Sequence, residues 1–244
     1  MTVRRVGGVV QFLLVIVFAL IALPPRAAGA ASGGDAAVRQ LITVTAASYR
    51  TTYATLRVYE VSGAKRVLNF GPWTARVGYN GIARPGRKRE GDGKTPSGTY
   101  GFGFFFGVLK NPGVSFPFRR AYKYDVWDDD PSSPLYNEWV DTRKQKAGAN
   151  PESMYQVPAY DYAAVIAYNT ARVPGLGSAI FLHVGTGSAT AGCVSLPRAE
   201  VIKVLRWLKP IDNPRISITA KLSNEHAFDC NSYFRVEHDI VFIG

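Results

Sequence analysis

Apolar residues in this chain recur at a period of two, in segments too short for helices, and that alternation limits the fold more than any other feature. Leu41-Ile-Thr-Val-Thr, Leu56-Arg-Val-Tyr-Glu-Val and Val67-Leu-Asn-Phe each put one face of an extended segment into a core and the other toward water. Gly71 to Gly81 reads as a strand closed by an Asn80-Gly81 turn, and Gly98 to Phe106 begins another. Two more buried segments follow, Ala163 to Tyr168 and Ala179 to His183. Pro197 to Leu208 breaks the pattern, because Val201, Leu205 and Leu208, with Ile202 beside them, form a helical apolar face and Pro197 suits a first turn. The expectation is a mainly β protein with one short helix. No internal repeat interrupts it.

At 244 residues and 47% hydrophobic content the chain has material for one well-buried core. Its ends read differently from its middle. Arg4 and Arg5 precede an apolar run from Val9 to Leu23, and Ala28-Gly29-Ala30 fits a small-residue cleavage site, so residues 1–30 are expected to be a secretory signal peptide. A run of about fifteen apolar residues is short of the ~20 needed to span a bilayer, so no stable membrane span is expected after cleavage. Residues 31–40 read as a flexible N-terminus, 41–219 as the main domain and 220–244 as a polar tail. Within the domain, 110–159 is rich in Pro, Asp, aromatics and Lys without a clear period, and is expected to be a long lid-like insertion. The net charge of +11 implies polyanions nearby. Outside the cell these are anionic wall polymers or lipid head groups, and nucleic acid is not an expected partner.

His183 and Cys193 lie ten positions apart on one Gly-rich connection. A thiol with an ordinary pKa of about 8.5 is mostly protonated at neutral pH, so an adjacent imidazole able to take its proton is what makes it a nucleophile. The helix that follows suggests that its N-terminal dipole also favours the thiolate, and the backbone N–H groups of Gly192 and Cys193 are candidate oxyanion donors. Other arrangements fit less well. In papain-like enzymes the Cys comes early and the His much later, the reverse of the order here. Gly91-Asp-Gly93-Lys94-Thr95 resembles a phosphate-binding loop, but Lys88 stands where its first Gly is required and Pro96 opposes the helix. One thiol and one nearby imidazole do not supply the three or four ligands of a zinc site, so no metal or cofactor is expected. His226 and His238 fall in the tail and read as solvated. Cys230 lies there too, and a Cys193–Cys230 disulfide is the structural alternative for an exported chain with two cysteines.

Gly91-Asp-Gly-Lys-Thr-Pro-Ser-Gly-Thr-Tyr100, then His183, then Thr190-Ala191-Gly192-Cys193-Val194, resembles the YkuD-type L,D-transpeptidase family over roughly Leu41 to Thr219. The resemblance implies a β-sandwich catalytic domain and cysteine chemistry on peptidoglycan stem peptides, giving 3→3 cross-links or L,D-carboxypeptidase hydrolysis. It makes Cys193 the nucleophile, His183 the proton acceptor and donor, and Thr190 and Gly192 the residues that shape the turn and oxyanion pocket. It also places Gly93 to Thr99 beside the site. Two positions depart from the family signature: its His is Ala191 here, and its Arg or Asn after the hydrophobic residue is Ser195. Ser195, Asp128, Asp129 and Tyr136 are the candidates for substrate contact, the acidic run Asp128 to Asp130 being suited to a cationic acceptor amine. The alternative is a wall-binding module that keeps the fold, ties Cys193 to Cys230 and performs no chemistry. Either way the expected location is the cell wall or periplasmic space.

Overall fold

A computed structural model describes residues 37–221. The leader read at 1–30, and the tail residues His226, Cys230 and His238, lie outside the described residues.

The chain runs through β1 (Gln40–Ala46), β2 (Tyr53–Ser62), β3 (Lys65–Arg76), the short β4 (Ile82–Ala83) and β5 (Thr95–Pro96), β6 (Gly98–Tyr100) and β7 (Phe102–Gly107). Then come β8 (Phe118–Arg120), β9 (Asp125–Asp128), β10 (Glu138–Asp141), β11 (Glu152–Ser153), β12 (Ala163–Ile166), β13 (Phe181–Val184) and β14 (Val194–Leu196). Helix α1 (Arg198–Trp207) and β15 (Arg215–Ala220) complete it. Ten strands form one sheet in the order β6-β15-β1-β2-β3-β14-β13-β12-β7-β8. β6 and β7 stand near opposite ends of that order, yet Gly101 alone separates them in sequence. The sheet must therefore curl until its ends approach, and its two halves face each other across the main core. This is the mainly β architecture expected. The expected strand 98–106 is real, but it is broken at the corner Gly101 makes.

Alternation decides what each strand contributes. Ile42, Val44 and Ala46 of β1 and Ala54, Leu56 and Val58 of β2 enter the main core from one side. Phe105, Ala164, Leu182, Val194 and Leu196 enter from β7, β12, β13 and β14, together with Val201, Val204, Leu205 and Leu208 of the helical segment. Fully burying a side chain of this size contributes about 1.5–3 kcal/mol. α1 forms as expected, with Val204 completing the apolar face that Ile202 only half joins.

The intervening positions of the same strands form a second core. Phe106, Ala163, Phe181 and Cys193 point to the opposite face, where Trp127, Met154 and Tyr160 from the segment after β8 cover them. That segment is built rather than irregular. β10, β9 and β11 pair into a three-stranded sheet, and Trp139 packs edge-on against Phe106 at 5.4 Å between ring centres. Asn137 fastens it to the main sheet, its Oδ1 accepting from Trp127 Nε1 (2.9 Å) and from the Ala179 N–H (3.2 Å). Among the described residues no helix is long and apolar enough to cross a membrane.

Candidate active site

β13 and β14 run parallel, with Leu182 opposite Val194 and His183 opposite Ser195. Paired residues point to the same side and alternate residues share it, so Phe181, His183, Cys193 and Ser195 occupy one face, the one turned from α1. Cys193 and His183 are 6% and 8% exposed and line a common cavity of about 360 Å³. β13 is buried on both faces, which accounts for its unbroken apolar run and leaves His183 as its polar exception.

The loop that delivers Cys193 is held at several points. Thr190 Oγ1 donates to the Cys193 carbonyl (2.7 Å) and accepts from the Gly192 N–H (3.2 Å). Thr95 Oγ1 donates to the same carbonyl (3.0 Å) and accepts from the Gly78 N–H (2.8 Å), which brings the Gly93–Thr99 stretch beside the site. Tyr79 N–H donates to Thr190 O and Thr190 N–H to Val77 O. Gly192 adopts φ +154°, and a Cβ there would stand 3.1 Å from Lys94 O, so this position needs glycine for both backbone and space. Thr190 and Gly192 thus shape the turn, and the Gly192 N–H is engaged with Thr190.

The thiol rests protonated. Cys193 Sγ donates to Ala179 O and accepts from the Phe181 N–H, both at 3.3 Å. Burial pushes its pKa well above the ordinary thiol value; the charge of Glu152 adds to this, while the Phe181 N–H and Lys88 oppose it. The helix does not relieve that cost. β14 intervenes between Cys193 and the start of α1 at Arg198, so the expected support from the helix dipole, confined to the first turn, is missing. Burial likewise lowers the pKa of His183, against the opposing carbonyls of Val184 and Ala159. His183 Nδ1 lies 2.9 Å from Val184 O; a carbonyl only accepts, so in the neutral ring Nδ1 carries the proton and Nε2 is the basic nitrogen. Tyr160 packs edge-on against the imidazole at 5.5 Å.

The candidate substrate residues separate. Asp129 lines the cavity. Asp128 is fully buried and its carboxylate accepts from Asp130 N–H, Ser133 Oγ and Gly148 N–H, so it braces its own loop. Tyr136 lies behind the wall, its hydroxyl accepting from the Gly177 N–H (3.0 Å) and donating to Glu90. Ser195 lines the cavity, 1% exposed. Ala191, at the position of the signature His, is exposed at the cavity wall. Glu90 and Glu152, also in that wall, were not singled out from sequence. Ser178 Oγ donates to Glu90 (2.7 Å), and Tyr160 and Gln156 donate to Glu152. Among the described residues no three His, Cys, Asp or Glu side chains group to hold a metal ion. Cys193 is a free thiol.

No curated protein matches the sequence. Among solved structures the chain is similar to the crystal structure of the helical cell shape determining protein Pgp2 from Campylobacter jejuni, at 16% identity and a TM-score of 0.37. That alignment covers 78% of this chain and 52% of the other, so the chain spans about half of that protein's length, and the likeness is too distant to add to the assignment. The family model of the L,D-transpeptidase catalytic domain, YkuD, matches residues 40–218. The match opens at the first residue of β1 and closes within β15, strands that pair side by side, so it takes in the whole curled sheet and all that is threaded through it: the chain belongs to the L,D-transpeptidase catalytic-domain family.

Proposed function

We propose that this protein is an exported cysteine L,D-transpeptidase acting on peptidoglycan stem peptides. The observation that carries the reading is the shared face of β13 and β14, which presents a thiol and an imidazole to one cavity. Because burial keeps both groups neutral, the thiolate forms only when substrate is present. Sγ passes its proton to Nε2 as it attacks the carbonyl of the diaminoacid at the third stem position. The carbonyls of Val184 and Ala159 favour the charged ring that results. With the Gly192 N–H engaged, we assign the oxyanion to the Cys193 N–H, a donor of a kind worth about 3 kcal/mol. His183 then protonates the departing D-Ala amine, and the thioester is resolved by a stem amine or by water.

The test is incubation of the purified protein with a stem tetrapeptide, following D-Ala release and the mass of the Cys193 peptide. The expected result is an acyl adduct on Cys193 and a loss of release of at least about a thousandfold in Cys193→Ala. Release at the unsubstituted rate by that variant would end the reading.

A further inference from the structure

A groove of about 410 Å³ lies outside the cavity and shares no residue with it. Arg119 and Arg120 of β8, Tyr122 and Tyr124 of the link to β9, Trp139 of β10 and Arg143 just beyond β10 line it. The site is firmly held. The Thr142 N–H and Oγ1 both donate to Tyr124 O (3.0 and 2.8 Å), and the Ala121 N–H donates to Gly107 O (2.9 Å), so the link is tied both to the end of β10 and to β7. β8 ends the ten-stranded sheet, so no strand covers its outer edge.

The two acids of the groove are occupied by its own groups. Asp125 is buried and accepts from the Tyr122 N–H (2.8 Å) and from Trp139 Nε1 (3.1 Å). Asp141 takes the fork of Arg143, Nε at 2.9 Å and Nη2 at 2.7 Å. Arg119 and Arg120 are exposed and have no carboxylate partner among the described residues. The Arg119 guanidinium lies instead over the rings of Phe104 and Trp139, 4.6 and 5.0 Å from their centres. A second observation is independent of charge. Tyr122 and Tyr124 stack at 5.3 Å with 15° between their planes, and Tyr122 stays 47% exposed.

The planar guanidinium fork matches a carboxylate, and Asp141 with Arg143 shows that match inside the groove. Arg119 and Arg120 offer the same fork to a carboxylate from outside. A pyranose ring brings an apolar C–H face that packs on an exposed tyrosine ring, and hydroxyls that accept from guanidinium N–H groups. A bilayer fits less well, because residues 119–125 and 141–145 contain no Leu, Ile, Val or Met to enter an acyl layer. An acidic polypeptide would meet the charge and leave the tyrosine pair unused. We propose that this groove binds a carboxylate-bearing polysaccharide, Arg119 and Arg120 taking its carboxylates and Tyr122 the face of a sugar ring. The proposal stands apart from the thioester reading. β9 joins the two sites: Asp125, its first residue, lines the groove and Asp129, one past its last, lines the cavity, about 13 Å further on at ~3.3 Å per residue. A polymer held in the groove thus keeps the cavity close to the surface that carries the polymer.

The experiment titrates the purified protein calorimetrically with oligogalacturonate, and with dextran as the uncharged glycan, polyglutamate as the carboxylate polymer without sugars and phosphatidylglycerol vesicles as the anionic surface. Oligogalacturonate is expected to bind more tightly than the other three. Arg119→Gln/Arg120→Gln should weaken it at least about fivefold and Tyr122→Ala at least about threefold, whereas Lys65→Gln/Arg66→Gln, the same charge change at exposed positions of β3, should weaken it less than about twofold. Arg119 packs on two rings, so folding of its variant is read by circular dichroism. If that variant is unfolded, Arg120→Gln and Tyr122→Ala, both at the surface, decide the matter by the same criterion of weakening. Equal weakening by the β3 variant would reduce the binding to diffuse charge and overturn the proposal. So would full affinity in Tyr122→Ala, since no sugar ring would then be held there. Tighter binding of polyglutamate or of the vesicles, lost in the groove variants, would assign the groove to an acidic polypeptide or a lipid surface and overturn it as well.

Discussion

Cys193 is kept as a thiol by its own surroundings, its S–H donating to Ala179 O and Glu152 nearby in the wall. A raised thiol pKa means that the reactive thiolate is scarce at neutral pH and grows as pH rises. Alkylation of Cys193 by iodoacetamide, read by peptide mapping without reductant, should therefore be slow at neutral pH and still climbing well into the alkaline range. Glu152→Gln removes a negative charge that disfavours the thiolate, so it should speed labelling several-fold at mildly alkaline pH. A plateau of fast labelling below neutrality would show a thiolate already formed and contradict this account. The sequence alone points the other way, toward a thiol activated by the following helix. Three-residue β14 is too short to show a period, so nothing local revealed that a strand stands between Cys193 and α1.

At the level of elements, β14 divides fold from chemistry within three residues. Val194 and Leu196 enter the main core, while Ser195 between them faces the cavity. Leu196→Ala should cost about 2–5 kcal/mol of stability in urea unfolding. Ser195→Ala, which removes a buried unpaired hydroxyl, should show no loss and a gain of up to about 1–3 kcal/mol. Equal losses would mean that both positions are packed alike. β13 was legible as a buried strand because its run is continuous but for one polar residue, His183. The segment 110–159 was not, because its strands have two to four residues and period-two alternation cannot register at that length. Glu90 and Glu152 belong to the same difficulty. They lie far apart in the chain and meet only because the small sheet folds over β13, a relation that no spacing records.

Over the molecule as a whole, the sign of the charge changes between outside and inside. The chain carries +11, with only Arg4, Arg5 and Arg26 of that balance in the first thirty residues, yet the cavity is acidic. We propose that the basic exterior holds the protein near anionic wall polymer. Retention on immobilised polyglutamate should fall steeply between about 50 mM and about 500 mM salt as the Debye length shrinks from roughly 14 Å to roughly 4 Å. Salt-independent retention would leave the basic residues with no more than a solvating part. The curled sheet has another consequence. Because alternate residues of one strand answer to separate demands, substitution at every second position changes the cavity wall while the framework stays unaltered. The signature positions that differ here, Ala191 in the loop before β14 and Ser195 within it, both open on the cavity and leave the main core untouched.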